Sequence, residues 1–367
     1  MTRVTYFAWA LPLVGAVTLL GTARAQSSVS VYGMVDVSVK VVSNYGGGRR
    51  IGQDSGDQQS PRLGFKGSEA LGNGVQTIFV AETGFNMDTG GFAQGGAPFA
   101  RQVYLGFSTP IGTLTAGRQY DFMVDLGAFH AVWQGTGTLD WNLGDNDRVS
   151  GQRLDNSVRY LFKSDKLTAG AMYSVSEKTS GTTKTPSASS FLGSYSGDGW
   201  AVAAAATLMR DAPVAPFASL GVPEFFGLPT LSTQGAPTTF VANSIDNFGA
   251  GASYTTGPWM FLALATETRY ARGGAKETIQ NRNIAVRYGA SRGLVYTLSL
   301  ADSELNTTSA KRMALSADWF LSKRTDVYLY GVKERAEGAG ARAVLFTTVP
   351  SSDHQQYAVA AGIRHKF

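Results

Sequence analysis

The sequence predicts an all-β fold: a sixteen-stranded antiparallel transmembrane β-barrel with a long third loop folded into the lumen. Segments of about ten residues with alternating apolar and polar side chains recur along the chain, as they do in membrane-barrel strands. Short and long connections alternate between these segments. The 44 Gly, 15 Tyr and 20 Phe against only 12 Pro suit many strands, tight turns and aromatic belts.

The first 25 residues, MTRVTYFAWALPLVGAVTLLGTARA, have the pattern of a signal peptide. Arg3 precedes an apolar stretch, and an A-x-A cleavage site ends at Ala25. A single transmembrane anchor is the alternative, but Pro12 and Gly15 interrupt the apolar run, which is shorter than the about 20 residues that span a bilayer. We therefore expect residues 1–25 to be removed and residues 26–367 to form one barrel domain.

Charge and hydropathy narrow the class of protein. Removing Arg3 and Arg24 with the predicted signal peptide leaves 30 of the 32 basic residues against 27 acidic ones, a net charge of +3. That balance gives no support to a nucleic-acid partner, which would need basic residues clustered on one face. No later window reaches about 18 consecutive apolar residues, which excludes a helical membrane protein. A soluble exported β protein remains open at this point.

The first mature segment, SSVSVYGMVDVSVKVV, alternates with a period of two. Apolar or small residues occupy every second position from Val29 to Val39, and mostly polar residues occupy the positions between, from Ser28 to Lys40. This pattern predicts a strand with one apolar face. That face would meet a core in a soluble sandwich and lipid in a membrane barrel, and one strand does not distinguish the two.

The same alternation predicts sixteen strands, and an even number suits a closed barrel. They are predicted at residues 28–42, 60–69, 74–86, 99–108, 111–120, 152–164, 166–176, 188–196, 198–210, 246–256, 258–270, 279–290, 293–302, 310–320, 323–333 and 355–367. Long connections are predicted near residues 43–59, 87–98, 121–151, 177–187, 211–245, 271–278, 303–309 and 334–354. Long connections at one end and short turns at the other are typical of an outer-membrane barrel with extracellular loops and periplasmic turns. Closure also removes sheet edges that lipid-exposed strands could not leave unpaired.

The chain ends on a strand-like segment with a terminal aromatic residue. Tyr357, Val359, Ala361, Ile363 and Phe367 share one parity and would face lipid together. A C-terminal Phe on such a strand resembles the assembly signal that the outer-membrane insertion machinery reads. We therefore expect an outer-membrane location, with that machinery, outer-membrane lipid and lipopolysaccharide as partners.

The third long connection, within Gly117–Gly151, has neither strand alternation nor a sustained helical period. A connection longer than about 15 residues without regular structure is usually functional or disordered. This one carries four aromatic residues of a kind that disordered segments seldom have: Phe122, Phe129, Trp133 and Trp141. We predict that residues 121–151 fold into the barrel and narrow it. Packing that holds the loop in place is the favoured role of the rings, and a slide for solutes is the alternative.

The connection at residues 211–245 is unusually apolar and rich in proline for an exposed loop. A compact lid that packs on its own side chains is the favoured interpretation. Contact with a neighbouring subunit, or partial cover of the barrel mouth, is the alternative.

Six motifs together resemble the general porins of Gram-negative bacteria, and among them the β-proteobacterial branch. They are SVYGMVDVSVK, SPRLGFKGSEALGNGVQTIFVAETGF, FARQVYLGFSTPIGTLTAGRQYD, RLDNSVRY, LSKRTDVYLYG and the ending GIRHKF. The resemblance covers almost the entire mature chain. It implies a water-filled barrel, usually a homotrimer, through which small hydrophilic solutes and ions diffuse passively. It also implies that the third loop forms the constriction.

The resemblance further implies a cluster of arginines on the barrel wall that faces the constriction loop. The matching residues are Arg62 in SPRLGFKG, Arg101 in FARQVYLGF and Arg153 in RLDNSVRY, with Arg118 in GRQ as a further match. Strand alternation agrees for Arg62 and Arg153, which share parity with polar residues.

Arg101 does not fit the alternation as well. It shares parity with Val103, Leu105 and Phe107. If the family match holds, we expect that face to turn inward and leave the intervening residues, beginning with Gln102, outside.

On the loop side the resemblance implies carboxylates opposite the arginines. Asp121 and Asp125 match the start of the family's loop, and Glu82 is expected to point inward from the third predicted strand. Charges of opposite sign across a narrow gap would create a transverse field, and arginines keep their charge at any working pH. We expect a preference for anions.

Two other functions remain as alternatives: an outer-membrane barrel enzyme, and an adhesin or receptor that acts through its long loops. The G-x-S-x-G match at Gly289–Gly293 lies in a short connection between two predicted strands and lacks the strand-to-helix turn of a nucleophile elbow, so the sequence predicts no enzyme. His130, His354 and His365 lie in different segments without metal-ligand spacing, and we predict neither metal nor cofactor.

Overall fold

The computed structural model describes residues 27–177, 186–216, 220–232 and 236–367. The predicted signal peptide, residues 1–25, and most of the predicted connection 177–187 lie outside them. Within the described ranges no helix is long and apolar enough to cross a membrane. In this part of the chain seventeen strands form one sheet that closes on itself, and a separate two-stranded hairpin lies in a loop.

All sixteen predicted strands are present, and the all-β class is confirmed. The strands of the sheet are β1 (Ser27–Tyr45), β2 (Gly48–Ser55), β3 (Arg62–Gly72), β4 (Val75–Gly84), β5 (Gln102–Thr109), β6 (Gly112–Tyr120), β7 (Arg153–Lys163), β8 (Leu167–Ser174), β9 (Ser187–Ser196), β10 (Trp200–Val214), β13 (Phe240–Thr256), β14 (Trp259–Arg272), β15 (Ala275–Gly289), β16 (Leu294–Leu305), β17 (Thr308–Phe320), β18 (Thr325–Glu337) and β19 (Gln355–Lys366). The separate hairpin consists of β11 (Glu224–Phe225) and β12 (Leu228–Pro229).

The seventeen described strands of the sheet occupy sixteen positions around the barrel, because β2 and β3 follow each other along one edge of β1. Residues Ser27–Met34 of β1 pair with β3, and residues Val37–Tyr45 of the same strand pair with β2. The opposite edge of β1 pairs with β19, which closes the barrel. The predicted sixteen-stranded antiparallel barrel is confirmed, and residues 56–61 leave the wall between β2 and β3.

Apolar side chains point out of the barrel and polar ones point in. In β1, Val31 and Val39 are exposed, whereas Asp36, Ser38 and Lys40 are buried inside. Exposed aromatic residues surround the end with the short turns: Tyr195, Trp200, Tyr254, Trp259, Tyr296 and Trp319. An apolar outer band with an aromatic girdle is the lipid-facing surface of a membrane barrel, so the soluble alternative is excluded.

The C-terminal residue joins the last strand to the first. The backbone N–H groups of Gly33 and Phe367 each donate to the other residue's carbonyl at 3.1 Å. A Cβ atom at Gly33 would lie 2.4 Å from the Phe367 ring, so glycine is what allows this close approach. Tyr357 and Phe367 are exposed while Ala358 and Ala360 are buried, which confirms the predicted outward parity of β19.

Three predicted long connections are wrong. Residues 271–278 and 303–309 each contain a two-residue turn between long strands, and most of 43–59 belongs to the β1–β2 hairpin. Gly273 and Gly274 have φ of 56° and 89°, the left-handed backbone that a two-residue hairpin turn requires. Charged and polar residues at these strand ends obscure the apolar alternation, which is why the sequence pattern indicated loops.

Residues 211–214 of the predicted apolar connection 211–245 belong to β10, and residues 240–245 belong to β13. The described part between these strands, which omits 217–219 and 233–235, packs on the barrel rim. Phe225 of β11 is buried and lies edge-on against Tyr270 of β14, with ring centroids 5.3 Å apart. The backbone N–H of Arg342 donates to the carbonyl of Gly221 at 2.9 Å, which ties this connection to the last one. These contacts join the connection to β14 and to the last connection, so the compact lid that packs on its own side chains stays a prediction.

Candidate pore constriction

The third loop leaves β6 after Tyr120 and lies inside the barrel, as predicted. It consists of short 3-10 turns separated by residues with left-handed or extended backbone: Phe122–Phe129, Ala131–Gln134, Thr138–Asp140 and Leu143–Asp145. The carboxylate of Asp121 accepts the N–H of Met123 at 3.1 Å and caps the first turn. Gly135, with φ of 116°, ends the second turn. Repeated interruption of this kind explains why the sequence shows no sustained helical period.

Apolar side chains of the first turn dock against glycines on the inner wall. Phe122 is fully buried, and a Cβ at Gly170 of β8 would lie 2.2 Å from its ring. Phe129 is almost as buried, and a Cβ at Gly251 of β13 would lie 2.5 Å from its side chain. Burial of each such side chain contributes roughly 1.5–3 kcal/mol, so this contact holds the loop inward. The predicted packing role is confirmed for Phe129, and Phe122 packs in the same way.

Buried polar contacts attach the far part of the loop to the opposite wall. The guanidinium of Arg312, on β17, donates to Asp140 at 3.0 Å and to Asn142 at 3.1 Å, and also to Glu334 of β18 at 3.2 Å. The hydroxyl of Thr266, on β14, donates to Asp147 at 2.7 Å. Asp140 and Asp147 of the loop therefore anchor it to the wall.

The segment 56–61 provides a third anchor. The Nε2 group of Gln58 donates to the carbonyl of Gly135 at 2.7 Å, and the N–H of Thr138 donates to the carbonyl of Asp57 at 2.6 Å. Asp36 of β1 accepts the N–H of Gln58 at 2.9 Å and so holds the segment to the wall. The excursion between β2 and β3 thus supports the loop from within the lumen.

A cavity of about 930 Å³ remains between the loop and the part of the wall near β1, β3, β7 and β19. Its basic lining residues are Lys40, Arg50, Arg62, Arg101, Arg153, Arg364 and Lys366. Its acidic lining residues are Asp54, Asp57 and Asp88. Lys40 lies 3.2 and 2.8 Å from the first two, so much of that acidic charge is already paired.

Tyr120 links two of the predicted arginines. Its hydroxyl accepts from Nη2 of Arg101 at 2.7 Å and from Nη2 of Arg153 at 2.6 Å. The Arg153 guanidinium also lies 4.4 Å from the Tyr120 ring centroid, a cation–π distance. Shared hydrogen bonds hold two like charges side by side on the cavity wall.

Glu82 points inward, as expected, but it lies behind the arginines and not on the loop side. Its carboxylate accepts from Nε of Arg101 at 2.7 Å and from the hydroxyl of Tyr32 at 3.0 Å. Glu82 thus offsets the charge of Arg101. Arg62 and Arg153 have no carboxylate within ion-pair distance among the described residues.

The expected inward turn of the Val103 face is wrong. Val103, Leu105 and Phe107 are exposed on the outside of the barrel. Arg101 nevertheless lines the cavity, because it precedes β5 at a bend that follows Phe99, whose φ is 54°. Strand alternation therefore does not extend to Arg101.

Arg118 does not line the cavity. It pairs across the β5–β6 ladder with Val103, whose side chain faces outward, and cross-strand partners share a face. Its guanidinium forms an ion pair with the exposed carboxylate of Asp155. The motif located Arg118 along the chain but not on a face of the sheet.

The two predicted loop acids do not reach the cavity. Asp121 is fully buried in an ion pair with Arg148, and burial raises the pKa of its carboxyl while Arg148 opposes the rise. Asp125 lies 4.0 Å from Arg159 and is not among the lining residues. The loop presents Val124, Val132, Trp133, Thr138, Trp141, Ser150 and Gln152 instead. The arginines therefore face an uncharged surface, and the expected transverse field between loop acids and wall is absent here.

Sequence reasoning did not name five of the lining residues as such: Lys40, Arg50, Tyr120, Arg364 and Lys366. Arg364 and Lys366 alternate with Ile363 and Phe367, so the outward parity of β19 already indicated that they point inward. Arg364 is paired with Asp326 at 3.1 Å, whereas Lys366 has no ion-pair partner among the described residues. Tyr120 carried no signal that distinguishes it from a girdle residue.

Comparison with known proteins decides the family. A model of the Gram-negative porin family matches residues 13–338. The chain belongs to the Gram-negative porin family. Porins are channels of the outer membrane and not enzymes, so the enzyme alternative is excluded.

The relatives place this porin near proteins of β-proteobacteria, as predicted. It is 27% identical to outer membrane porin protein 32 of Delftia acidovorans over 95% of this chain and 96% of the relative. An anion-selective porin from Comamonas acidovorans has a TM-score of 0.76 at 21% identity, covering 93% of this chain and all of that one. OmpT of Vibrio cholerae, in a trimer form, has a TM-score of 0.66 at 16% identity over 93% of this chain and 99% of that one.

Proposed function

We propose that this porin is an anion-preferring diffusion channel whose constriction is the cavity beside the third loop. The observation that carries the proposal is the presence of unpaired basic side chains, Arg62, Arg153 and Lys366, opposite a loop surface without a carboxylate. A charged lining in a narrow passage with low-dielectric walls raises the local concentration of counter-ions. Pore radius and lining charge then select the solute.

The arginines suit this role because their charge persists at any working pH and their planar groups stack. Arg101 contributes less, since Glu82 lies 2.7 Å from its Nε atom. The similar Comamonas protein is described as anion-selective, which agrees with the direction of the preference.

The assembly belongs to the same proposal. We infer a homotrimer in the outer membrane, in line with the trimer form of the similar Vibrio porin. Lipopolysaccharide and outer-membrane lipid would surround its exposed apolar band, and Phe367 would be read by the insertion machinery.

Reversal potentials across planar bilayers in a KCl gradient test the preference. Wild type should favour chloride, and the double variant Arg62→Ala/Arg153→Ala should lower the chloride-to-potassium permeability ratio several-fold, because both unpaired charges are lost. Arg210→Ala is the matched control, since Arg210 points outward and pairs with Asp246 at 2.5 Å. A wild-type potential that favours potassium, unchanged in Arg62→Ala, would contradict the proposal.

A further inference from the structure

The loop side of the cavity carries an exposed indole that loop docking does not explain. Phe122 and Phe129 are buried against the wall, whereas Trp133 is 49% exposed and lines the cavity. Trp141 lines it as well, although it is mostly buried beside His130, with ring centroids 4.7 Å apart. Trp133 therefore lacks the stabilisation that burial gives to the neighbouring aromatic rings, although it is a large apolar side chain.

Gly127 holds the Trp133 ring in place. A Cβ atom at Gly127 would lie 2.7 Å from the indole, closer than real Cβ contacts allow. Any larger residue there would displace the ring, so one side of the indole rests on the backbone of the loop. The cavity therefore has a positioned aromatic surface, continued by Val124 and Val132.

The basic side of the same cavity is ready to take one carboxylate. Arg62 and Arg153 line the cavity and lack an acidic partner among the described residues. A guanidinium binds a carboxylate through two parallel hydrogen bonds, which a chloride ion cannot form. Two aromatic rings in an offset or edge-to-face arrangement attract each other beyond what the burial of their surface contributes.

We infer that the constriction favours small aromatic carboxylates, of the benzoate class, over inorganic anions and aliphatic carboxylates of similar size. Their carboxylate meets the arginines while their ring lies on Trp133. This inference rests on the proposed anion channel and adds a second criterion, a flat apolar body, to negative charge.

Block of the single-channel KCl current tests the inference with two matched probes. Benzoate should reduce the current at a lower concentration than cyclohexanecarboxylate, which has the same charge and a similar size without aromaticity. Trp133→Ala should raise the half-blocking benzoate concentration by about 2- to 10-fold, the value of one aromatic pair, and leave the cyclohexanecarboxylate value nearly unchanged. Trp133→Phe should retain most of the benzoate affinity.

Chloride selectivity separates this inference from the proposed function. Trp133→Ala should still favour chloride over potassium, because Arg62 and Arg153 remain, and a conducting, chloride-favouring channel also shows that the barrel is folded. Equal block by the two probes in wild type, or the same benzoate affinity in wild type and Trp133→Ala, would overturn the aromatic criterion while the anion channel stands. A wild-type channel that does not prefer chloride to potassium would overturn the proposed anion channel itself.

Discussion

At the scale of single residues, the charge of the cavity wall depends on partners as much as on the number of arginines. Arg101 shares Glu82 with Tyr32, so part of its charge is cancelled within the wall. Arg62 and Arg153 are not offset in this way. The field that a solute meets is therefore set by which guanidinium groups have a carboxylate behind them.

Replacing Glu82 isolates this effect. Glu82→Gln removes the negative charge behind Arg101 and keeps an oxygen that can accept its hydrogen bond. The channel should become more anion-selective, since the wall gains one net positive charge. Reversal potentials in a KCl gradient measure the shift, and Glu304→Gln, on the exposed outer side, should leave them unchanged. A move towards potassium would show that Glu82 positions Arg101 more than it neutralises it.

At the scale of elements, the third loop is held by shape on one side and by buried polar contacts on the other. Glycines of β8 and β13 leave room for Phe122 and Phe129. On the other side, Arg312 donates hydrogen bonds to Asp140 and Asn142 of the loop and to Glu334 of β18. Because these two attachments lie on different strands, loss of either one should loosen the loop without opening the barrel.

Filling one glycine site should displace the loop. Gly251→Val places a branched side chain where Phe129 now lies, and overpacking of this kind costs about 1–3 kcal/mol. The expected results are a larger single-channel conductance and faster proteolysis within residues 121–151. Gly193→Val is the matched control, because a Cβ there meets nothing within 4 Å. Identical conductance in the two variants would rule out this docking as the cause of the narrowing.

The end of the loop should respond to pH through Asp145. Burial and the neighbouring Asp147 raise the pKa of Asp145 to about 7 from 3.8, so the folded loop binds this proton more tightly than the unfolded chain. The stability of the folded loop should therefore fall as pH rises from 3.8 to about 7 and change little above that.

Asp145→Asn should flatten this dependence, because its side chain does not ionise. Proteolysis of the loop at several pH values gives the measurement for wild type and variant. A protection profile that rises with pH in wild type would mean that the hydrogen bonds from Gln152 and from the N–H of Ser150 outweigh burial.

At the scale of the whole molecule, closure depends on the pairing of the first and last strands. The backbone of Phe367 pairs with Gly33, and its ring lies in the space that a Gly33 side chain would occupy. The backbone pairing does not need the ring, so the aromatic side chain is available for recognition during assembly.

Phe367→Ala tests whether the ring serves assembly while the backbone of residue 367 closes the barrel. If the insertion machinery reads Phe367, as we propose, the yield of assembled barrel in outer-membrane fractions should fall. Protein refolded in detergent should keep wild-type conductance, since the backbone hydrogen bonds remain. Ile363→Ala, on the same outward face, is the control. Normal yield of Phe367→Ala in cells would remove the residue from the assembly signal.

The sequence by itself determined the barrel, its sixteen positions and the inward third loop, because period-two alternation and the length of a connection are local properties. The family motifs in the sequence also located Arg62 and Arg153; alternation within β3 agrees for Arg62, whereas β7 is interrupted at Asn156, whose φ is 52°, so alternation does not set the face of Arg153. Only the tertiary structure decided which face Arg101 and Arg118 present, since a bend before β5 and the pairing with Val103 override motif position. It likewise decided that the loop's acids anchor it and that Trp133 faces the cavity, because burial depends on the strands a loop meets across the lumen.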